Sequence, residues 1–144
     1  MTAPTPQKTA VVLLNLGGPD KEADIAPFLL SFFCDKNVIT LPNPLRYALA
    51  AWISWRRSRG AAKKNYAQLG GKSPLRENTR AQAKALEENL LREGVDGRVF
   101  VAMRHWHPRT DEIVKEVLAY QPDKIVLLPL YPQFSTTTTA SSFN

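Results

Sequence analysis

The sequence is poor in cysteine and histidine, which excludes several kinds of site. Its 144 residues include one Cys and two His. A single thiol, Cys34, cannot form an intramolecular disulfide or a four-cysteine zinc site, and it is typical of proteins in a reducing compartment. The two histidines, His105 and His107, flank Trp106, and no Ser-His-Asp triad can be recognised around them.

Long apolar runs are also missing. No segment approaches the roughly 18 to 20 apolar residues that a membrane-spanning helix requires. The first six residues lack the basic and apolar segments of a secretory signal, so we expect a cytoplasmic location. The hydrophobic fraction of 44% excludes intrinsic disorder, and the length of the chain fits one domain. The net charge of +6 suits an anionic partner.

Phosphate-binding loops are absent as well. The segment Leu16-Gly17-Gly18-Pro19 fits neither the G-x-G-x-x-G pattern nor the Walker pattern. A glycine pair after a strand forms either a tight turn or a place where a flat ligand approaches the backbone. Residues 70–74, Gly-Gly-Lys-Ser-Pro, form either a turn between helices or a loop that shapes a site.

Hydrophobic patterning predicts an α/β fold. Apolar segments at 10–16, 98–103 and 124–130 are typical of strands, and the first is nearly continuous, as in a strand covered on both faces. Helices are predicted at 25–33, 45–59, 61–69, 76–93 and 110–120, with breaks at Pro42 and Pro44 and an N-cap at Thr110. This order predicts a parallel sheet flanked by helices, after a short flexible lead at residues 1–8.

Polar, aromatic and glycine residues gather where the three predicted strands end. They occupy 15–18, 104–108 and 131–137. Ligands of parallel α/β sheets bind outside the carboxyl ends of the strands. We therefore expect these three segments to meet at one edge and form a site.

Several residues near this edge have two possible roles. His105 and His107 would face the same way on an extended segment and could meet one metal ion, although a pair without a nearby carboxylate is more often structural. Arg104 could pair with a ligand carboxylate, or it could bind a helix C-terminus or an internal acid. Cys34 lies in an apolar run and is interpreted as a small buried hydrophobe rather than a nucleophile.

Residues 27–55 contain more apolar side chains than two short helices need for packing. We call this segment the apolar lip; Arg46, Arg56, Arg57 and Arg59 lie within it or just beyond it. It is either core, a peripheral contact with a membrane, or a surface for a flat amphiphilic substrate with anionic arms.

Five stretches, in order, resemble the ferrochelatase family. They are Leu13-Leu14-Asn15-Leu16-Gly17-Gly18-Pro19, residues 28–42, residues 66–75 (Tyr-Ala-Gln-Leu-Gly-Gly-Lys-Ser-Pro-Leu), residues 103–108 and residues 130–142. The resemblance implies insertion of Fe(II) into protoporphyrin IX in haem biosynthesis, with iron as substrate. It covers only the family's N-terminal half.

The resemblance also implies a domain organisation. Family members consist of two similar Rossmann-like halves, so residues 9–140 are expected to form the first, and residues 141–144 to begin the connection to the second. The family's catalytic His belongs to the second half, so we expect the isolated chain to be inactive. The iron-sulfur cluster of some members needs four cysteines, which this half does not supply, and no permanent cofactor is expected.

The resemblance assigns porphyrin-binding residues by position. The residues that would face the macrocycle or the lip at its entry are Leu16, Leu29, Phe32 and Val38. Those that would reach the propionates or shape the loop over them are Arg57 (or the neighbouring Arg56), Tyr66 and Ser73. Those that would line the metal-side pocket are Arg104, Tyr131 and Thr137. His105 stands where many members have Tyr, and His107 is a weak candidate for metal binding.

Two alternatives remain open at this point. One is a half-length tetrapyrrole chelatase that works as a homodimer. The other is a basic α/β module that binds nucleotides or nucleic acid, which the positive charge favours. The missing phosphate loop and the apolar lip oppose the second alternative, so no nucleic-acid partner is expected.

Overall fold

A three-stranded parallel sheet forms the centre of the fold. The computed structural model describes residues 7–143, so most of the predicted lead at residues 1–8 lies outside the described residues. The strands are β1 (Thr9–Asn15), β2 (Gly97–Met103) and β3 (Lys124–Pro129), in the order β2-β1-β3. All pairings are parallel, which confirms the predicted α/β class.

Five α-helices accompany the sheet. They are α1 (Ile25–Phe33), α2 (Asn43–Arg59), α3 (Ala61–Gln68), α4 (Leu75–Arg92) and α5 (Thr110–Tyr120), and a short 3₁₀ turn (Glu22–Asp24) and a π-helical turn (Thr136–Ala140) complete the order. Within residues 7–143, none of these helices combines the length and the apolar character that crossing a bilayer would require. Two of the five, α4 and α5, pack on the faces of the sheet.

Two predicted helix boundaries were wrong. Pro44 was expected to interrupt the chain, but it lies in the first turn of α2. Proline fits there because the first N–H groups of a helix have no acceptor within the helix. Thr110 was expected to be the N-cap, but it is the first helical residue; the extended Arg109 precedes it and donates its backbone N–H to the Glu112 carboxylate at 3.1 Å.

Strand β1 is buried on both faces. Val12 and Leu14 pack with Ile113 of α5 on one face, while Leu13 packs with Ala83 of α4 on the other. Side chains alternate across a strand, so a strand between two layers needs apolar residues at every position. This explains the nearly continuous apolar run.

Helices α1, α2 and α3 pack together beyond the carboxyl ends of the strands. Ile25, Phe28 and Leu29 form the centre of this group, with Tyr66 and Trp106 packed against it. Trp106 follows β2, so it joins the helical group to the sheet. This arrangement places α1 directly beside the loops that leave the strands.

Candidate functional site

The three predicted loop segments meet at one edge of the sheet. The backbone N–H of Arg104 donates to the Asn15 carbonyl at 2.9 Å, and that of His105 donates to the Leu16 carbonyl at 3.0 Å. Leu130 donates in the same way to Leu14 at 2.9 Å. Parallel strands end on the same side, which is why these distant segments become neighbours.

The glycine pair after β1 allows close packing within the chain. Gly17 has a φ of +89°, and an added Cβ would lie 2.9 Å from the Cβ of Trp106. An added Cβ at Gly18 would lie 2.5 Å from the Ser73 hydroxyl. The space beside both glycines is thus filled by the protein's own side chains. The segment forms a tight turn, and Gly17 also lines the groove described next, where a flat ligand can approach the backbone.

An apolar groove of about 400 Å³ lies between this turn, α1, α2, α3 and the start of α4. Six of the residues predicted to bind porphyrin line it, together with other residues, most of them apolar. The groove is formed by Leu16, Gly17, Phe28, Leu29, Phe32, Phe33, Arg57, Tyr66, Ser73, Pro74, Leu75 and Asn78. Residues from five separate segments thus share one surface, which we call the apolar groove.

The polar groups of the apolar groove are few. Arg57 carries the only formal charge among these described lining residues, and its guanidinium lies 5.4 Å above the Phe33 ring. Burial raises the pKa of Tyr66, so its phenol stays protonated and can donate a hydrogen bond. Such a groove can hold a flat apolar molecule that carries an acidic group near Arg57.

A second concave surface borders the opposite face of α1. We call it the basic cleft; it has a volume of about 580 Å³, and its charged residues are Asp35, Lys36, Arg46, Arg104 and Arg109. The α1 residues that line it, Pro27, Leu30, Ser31 and Cys34, differ from those that line the apolar groove. Their helical spacing places the two sets on opposite sides of α1.

Asp35 connects three distant segments at the base of the basic cleft. It accepts hydrogen bonds from the Ser141 hydroxyl and from the Asn37 backbone, and it lies 3.3 Å from Arg104 Nη2. Arg104 Nε also donates to Ser141 at 2.9 Å. Burial alone would raise the pKa of Asp35, but these hydrogen bonds and the Arg104 charge outweigh it and hold the pKa below its usual value.

His105 is buried, and its ring packs edge-on against Phe32 at 5.2 Å. Its Nε2 lies 3.8 Å from the Asp35 carboxylate and has no hydrogen-bond partner. Burial lowers the pKa of His105 to about 4, with Arg104 and Arg109 acting in the same direction and Asp35 against them. The imidazole is therefore neutral at pH 7.

The two histidines have different surroundings. His107 is exposed, and its Nδ1 lies 2.7 Å from Glu112 Oε1, whereas His105 is buried beside Asp35. Within residues 7–143, no group of three or more His, Cys, Asp or Glu side chains could hold a metal ion. Among the described residues, the weak metal candidate His107 thus has the Glu112 carboxylate beside it but no third ligand.

The other predicted site residues lie outside the apolar groove. Val38 follows α1 and donates its backbone N–H to the Asp35 carbonyl. Arg104 lines the basic cleft. Tyr131 and Thr137 follow β3: the Tyr131 hydroxyl lies 2.9 Å from that of Ser142, and the Thr137 hydroxyl lies 3.0 Å from that of Ser135.

Sequence reasoning missed Asp35 as the residue that links the site together. The available signal was an acid directly after an apolar helix, next to Cys34. An acid in that position predicts an internal partner, since a buried carboxylate requires one. The sequence could not show that the partners would be Arg104 and Ser141, which are 69 and 106 positions away.

The family model for ferrochelatase matches residues 8–144. This chain belongs to the ferrochelatase family. The match includes every segment that forms the apolar groove and the basic cleft.

Curated ferrochelatases from several bacteria are similar along almost the whole chain. The ferrochelatase of Caulobacter vibrioides (strain NA1000 / CB15N) is 55% identical over 138 residues, which cover 94% of this chain and 40% of that protein. The ferrochelatase of Wolbachia sp. subsp. Brugia malayi (strain TRS) is 47% identical, and that of Rickettsia bellii (strain OSU 85-389) is 49% identical. Both matches again cover 94% of this chain, and they cover 47% and 38% of those proteins. The chain thus spans less than half the length of these ferrochelatases.

Proposed function

We propose that this chain is the porphyrin-binding half of a ferrochelatase, which inserts Fe(II) into protoporphyrin IX to form protohaem. The observation that carries the proposal is the apolar groove, which joins Leu16, Phe32, Arg57 and Tyr66 on one surface. A tetrapyrrole is flat and apolar and has carboxylate arms at one edge. A groove with apolar walls and a single arginine suits both parts of such a molecule.

The groove can also favour a bent macrocycle. Insertion of a metal requires a porphyrin whose nitrogens are accessible from one face, and such distortion costs on the order of 1 to 5 kcal/mol, drawn from contacts remote from the reacting atoms. The rings of Phe32 and Phe33 pack edge to face at 5.1 Å and present rigid walls for those contacts. Arg57 would anchor one propionate.

The groove has no group that accepts a proton at neutral pH. Metallation releases two pyrrole protons, which need a base. The titratable side chains that line the groove are Arg57 and Tyr66, and the pKa of Tyr66 is raised further by burial. We therefore infer that the chain by itself binds porphyrin weakly and does not metallate it, and that the base is a residue that does not line the groove.

Titration of the purified chain with protoporphyrin IX, followed by fluorescence quenching, tests the proposal. Leu16→Gln introduces a polar group into the groove and should weaken binding by about tenfold, because apolar contact is lost. Leu91→Gln, at a side chain that is 76% exposed, should bind like the unchanged chain. If both variants bind protoporphyrin IX equally well, the groove is not the porphyrin site. If the chain forms zinc porphyrin at the rate of a longer ferrochelatase, the inferred inactivity is wrong.

We further propose that α2 contacts a membrane surface peripherally. Tyr47, Trp52 and Trp55 are more than half exposed. The guanidinium of Arg56 lies 5.6 Å above the Trp52 ring, and that of Arg59 lies 4.8 Å above the Trp55 ring. Aromatic rings with adjacent arginines suit the boundary between lipid headgroups and acyl chains, and α2 carries no acidic residue that would oppose anionic lipid.

Flotation with vesicles tests the membrane contact. Vesicles that contain anionic lipid should carry the protein with them, and the double variant Trp52→Ala/Trp55→Ala should remain in the aqueous fraction. The double variant Leu91→Ala/Leu118→Ala removes two exposed apolar side chains elsewhere and should float like the unchanged protein. Equal flotation of both variants would count against a contact through α2.

The surface of β3 supports the proposal that this chain is the first of two similar halves. Ile125 and Leu127 on one face, and Leu128 on the other, are 53%, 49% and 39% exposed. A parallel strand normally has cover on both faces, so a further protein layer suits this strand. Light scattering tests the alternative of a half-length homodimer: a stable dimer with tetrapyrrole bound between protomers would replace the two-half proposal.

A further inference from the structure

The basic cleft has an excess of positive charge. Lys36, Arg46, Arg104 and Arg109 line it, with Asp35 as the single acid. Among residues 7–143, Lys36, Arg46 and Arg109 form no salt bridge, while Arg104 pairs with Asp35. Three positive charges thus share one concave surface without a counter-charge, and an anion placed among them would relieve their repulsion.

The cations come from three different elements. Lys36 follows α1, Arg46 lies in the first turns of α2, and Arg109 precedes α5. Arg46 is held in place by hydrogen bonds to the Leu41 carbonyl and the Asn43 side chain. Tertiary structure therefore brings these charges together around a space of about 580 Å³, a volume within the range of small-molecule sites.

The floor of the cleft has acceptors rather than donors. His105 and Asp35 are 2% and 9% exposed, so they form the inner surface of the cleft. The Nε2 atom of His105 is buried and has no hydrogen-bond partner. Buried polar atoms without a partner are rare in folded proteins, and one that faces a cleft is a place for a ligand group or water. The ring of His105 donates a hydrogen bond to the Ser31 backbone, and Nε2 has no partner, so the N–H is on Nδ1. Nε2 of the neutral imidazole is then an acceptor, and the group that it binds is a donor such as O–H.

We propose that the basic cleft binds a small oxyanion that carries both anionic oxygens and a hydroxyl group, as in hydrogenphosphate or a hydroxy-polycarboxylate. The guanidinium groups of Arg46 and Arg109 and the Lys36 ammonium bind the anionic oxygens. The hydroxyl donates to His105 Nε2 at the floor. This site uses the face of α1 opposite the apolar groove, and the proposal does not depend on porphyrin binding.

The hydroxyl requirement gives the proposal a sharp test with matched ligands. Phosphate and sulfate are similar in shape and charge, but at pH 7 only phosphate retains an O–H. Citrate and tricarballylate differ in the same way. Calorimetric titration of the purified protein should give tighter binding for phosphate than for sulfate and for citrate than for tricarballylate. Comparison of phosphate with citrate then shows whether the cleft prefers an inorganic oxyanion or a polycarboxylate.

Substitution of the cations identifies the site. The double variant Lys36→Gln/Arg109→Gln removes two exposed side chains that contribute nothing to the core, and it should weaken binding of the preferred ligand by roughly tenfold or more. The control Lys115→Gln/Arg92→Gln removes the same two residue types elsewhere and the same net charge. It should bind like the unchanged protein.

Three results would overturn the proposal. One is the absence of saturable binding tighter than about 1 mM for all four ligands. Another is equal weakening by both double variants, which would indicate a general charge effect. The third is equal affinity within both ligand pairs, which would exclude the His105 floor from recognition. None of these results bears on the apolar groove, because no ligand in the test is a tetrapyrrole.

Discussion

The apolar groove and the basic cleft lie on opposite faces of the same nine-residue helix, yet their chemistry is opposite. Helix α1 is apolar almost throughout, with the sequence IAPFLLSFF. On one side it faces Arg57, Tyr66 and Ser73, and on the other it faces Arg46, Arg104 and Arg109. The difference therefore comes from the neighbouring elements rather than from the helix.

Phe32 and His105 connect the two regions. Phe32 lines the apolar groove, and its ring contacts His105, which lines the basic cleft. A change on one side of α1 can therefore reach the other through a single aromatic contact. The predictions below ask how far the two regions can be separated.

The largest effect is expected from Asp35→Asn. Asp35 is 3% exposed in its side chain and carries the charge that Arg104 pairs with. Loss of one partner of a buried pair leaves the other charge unpaired; because the Arg104 side chain is 28% exposed, we expect a cost of about 3 to 4 kcal/mol, the lower part of the usual range. Chemical denaturation should show this loss, whereas Asp111→Asn, an acid in the first turn of α5, should change stability by less than about 1 kcal/mol. Similar losses in the two variants would mean that Asp35 does not hold the cleft together.

Gly17→Ala should destabilise the turn that borders the apolar groove. Alanine at a φ of +89° is strained, and its Cβ would lie 2.9 Å from that of Trp106. Strain and overpacking together should cost about 3 kcal/mol. Gly94→Ala shares a positive φ of +74° but meets no atom within 4 Å, so it should lose only about 1 kcal/mol. Comparison of the melting curves of the two variants separates the cost of the Trp106 contact from the cost of backbone strain. Equal losses of stability would show that the contact with Trp106 contributes nothing.

Acid should weaken the fold through His105. Its folded pKa of about 4 lies below the ordinary value of 6.5, so the unfolded chain binds the proton more readily. The stability that depends on a neutral His105 is complete above pH 6.5 and is lost as the pH falls towards 4. The loss between pH 7 and pH 5 should be about 2 kcal/mol.

The variant His105→Phe should flatten this pH dependence, measured as the change in unfolding free energy between pH 7 and pH 5. The control His107→Gln alters an exposed imidazole in the same segment and should keep the full loss. A His105→Phe variant with an unchanged pH slope would show that another group controls the response to acid.

The smallest effect is expected from Arg57→Gln. Loss of this charge should weaken binding of a porphyrin with propionates by about tenfold, or 1.4 kcal/mol, with little change in stability. Arg56→Gln is the matched control, because Arg56 stacks on Trp52 and does not line the groove. Fluorescence titration distinguishes the two residues, and a stronger effect at Arg56 would shift the anchor by one position.

Much of the fold and part of the site could be predicted because the signals were local. The apolar run before Gly17 predicted a covered strand, and the meeting of the three loop segments followed from the parallel arrangement of strands. Motif resemblance selected Leu16, Phe32, Arg57 and Tyr66, which the structure brings into one groove. The glycine pair could not be interpreted from the sequence, because the neighbours Trp106 and Ser73 are far away in the chain.

The sequence by itself determined which segments are helices and strands and the parallel α/β class, because hydrophobic periodicity and chain breakers act over a few residues. It did not determine that Asp35 would meet Arg104 and Ser141, or that Lys36, Arg46 and Arg109 would surround one cleft. Those meetings depend on how helices pack across the ends of the sheet. Helix packing depends on many weak contacts from all parts of the chain. Only the tertiary structure therefore decided which charges are paired and which line the basic cleft without a salt bridge among the described residues.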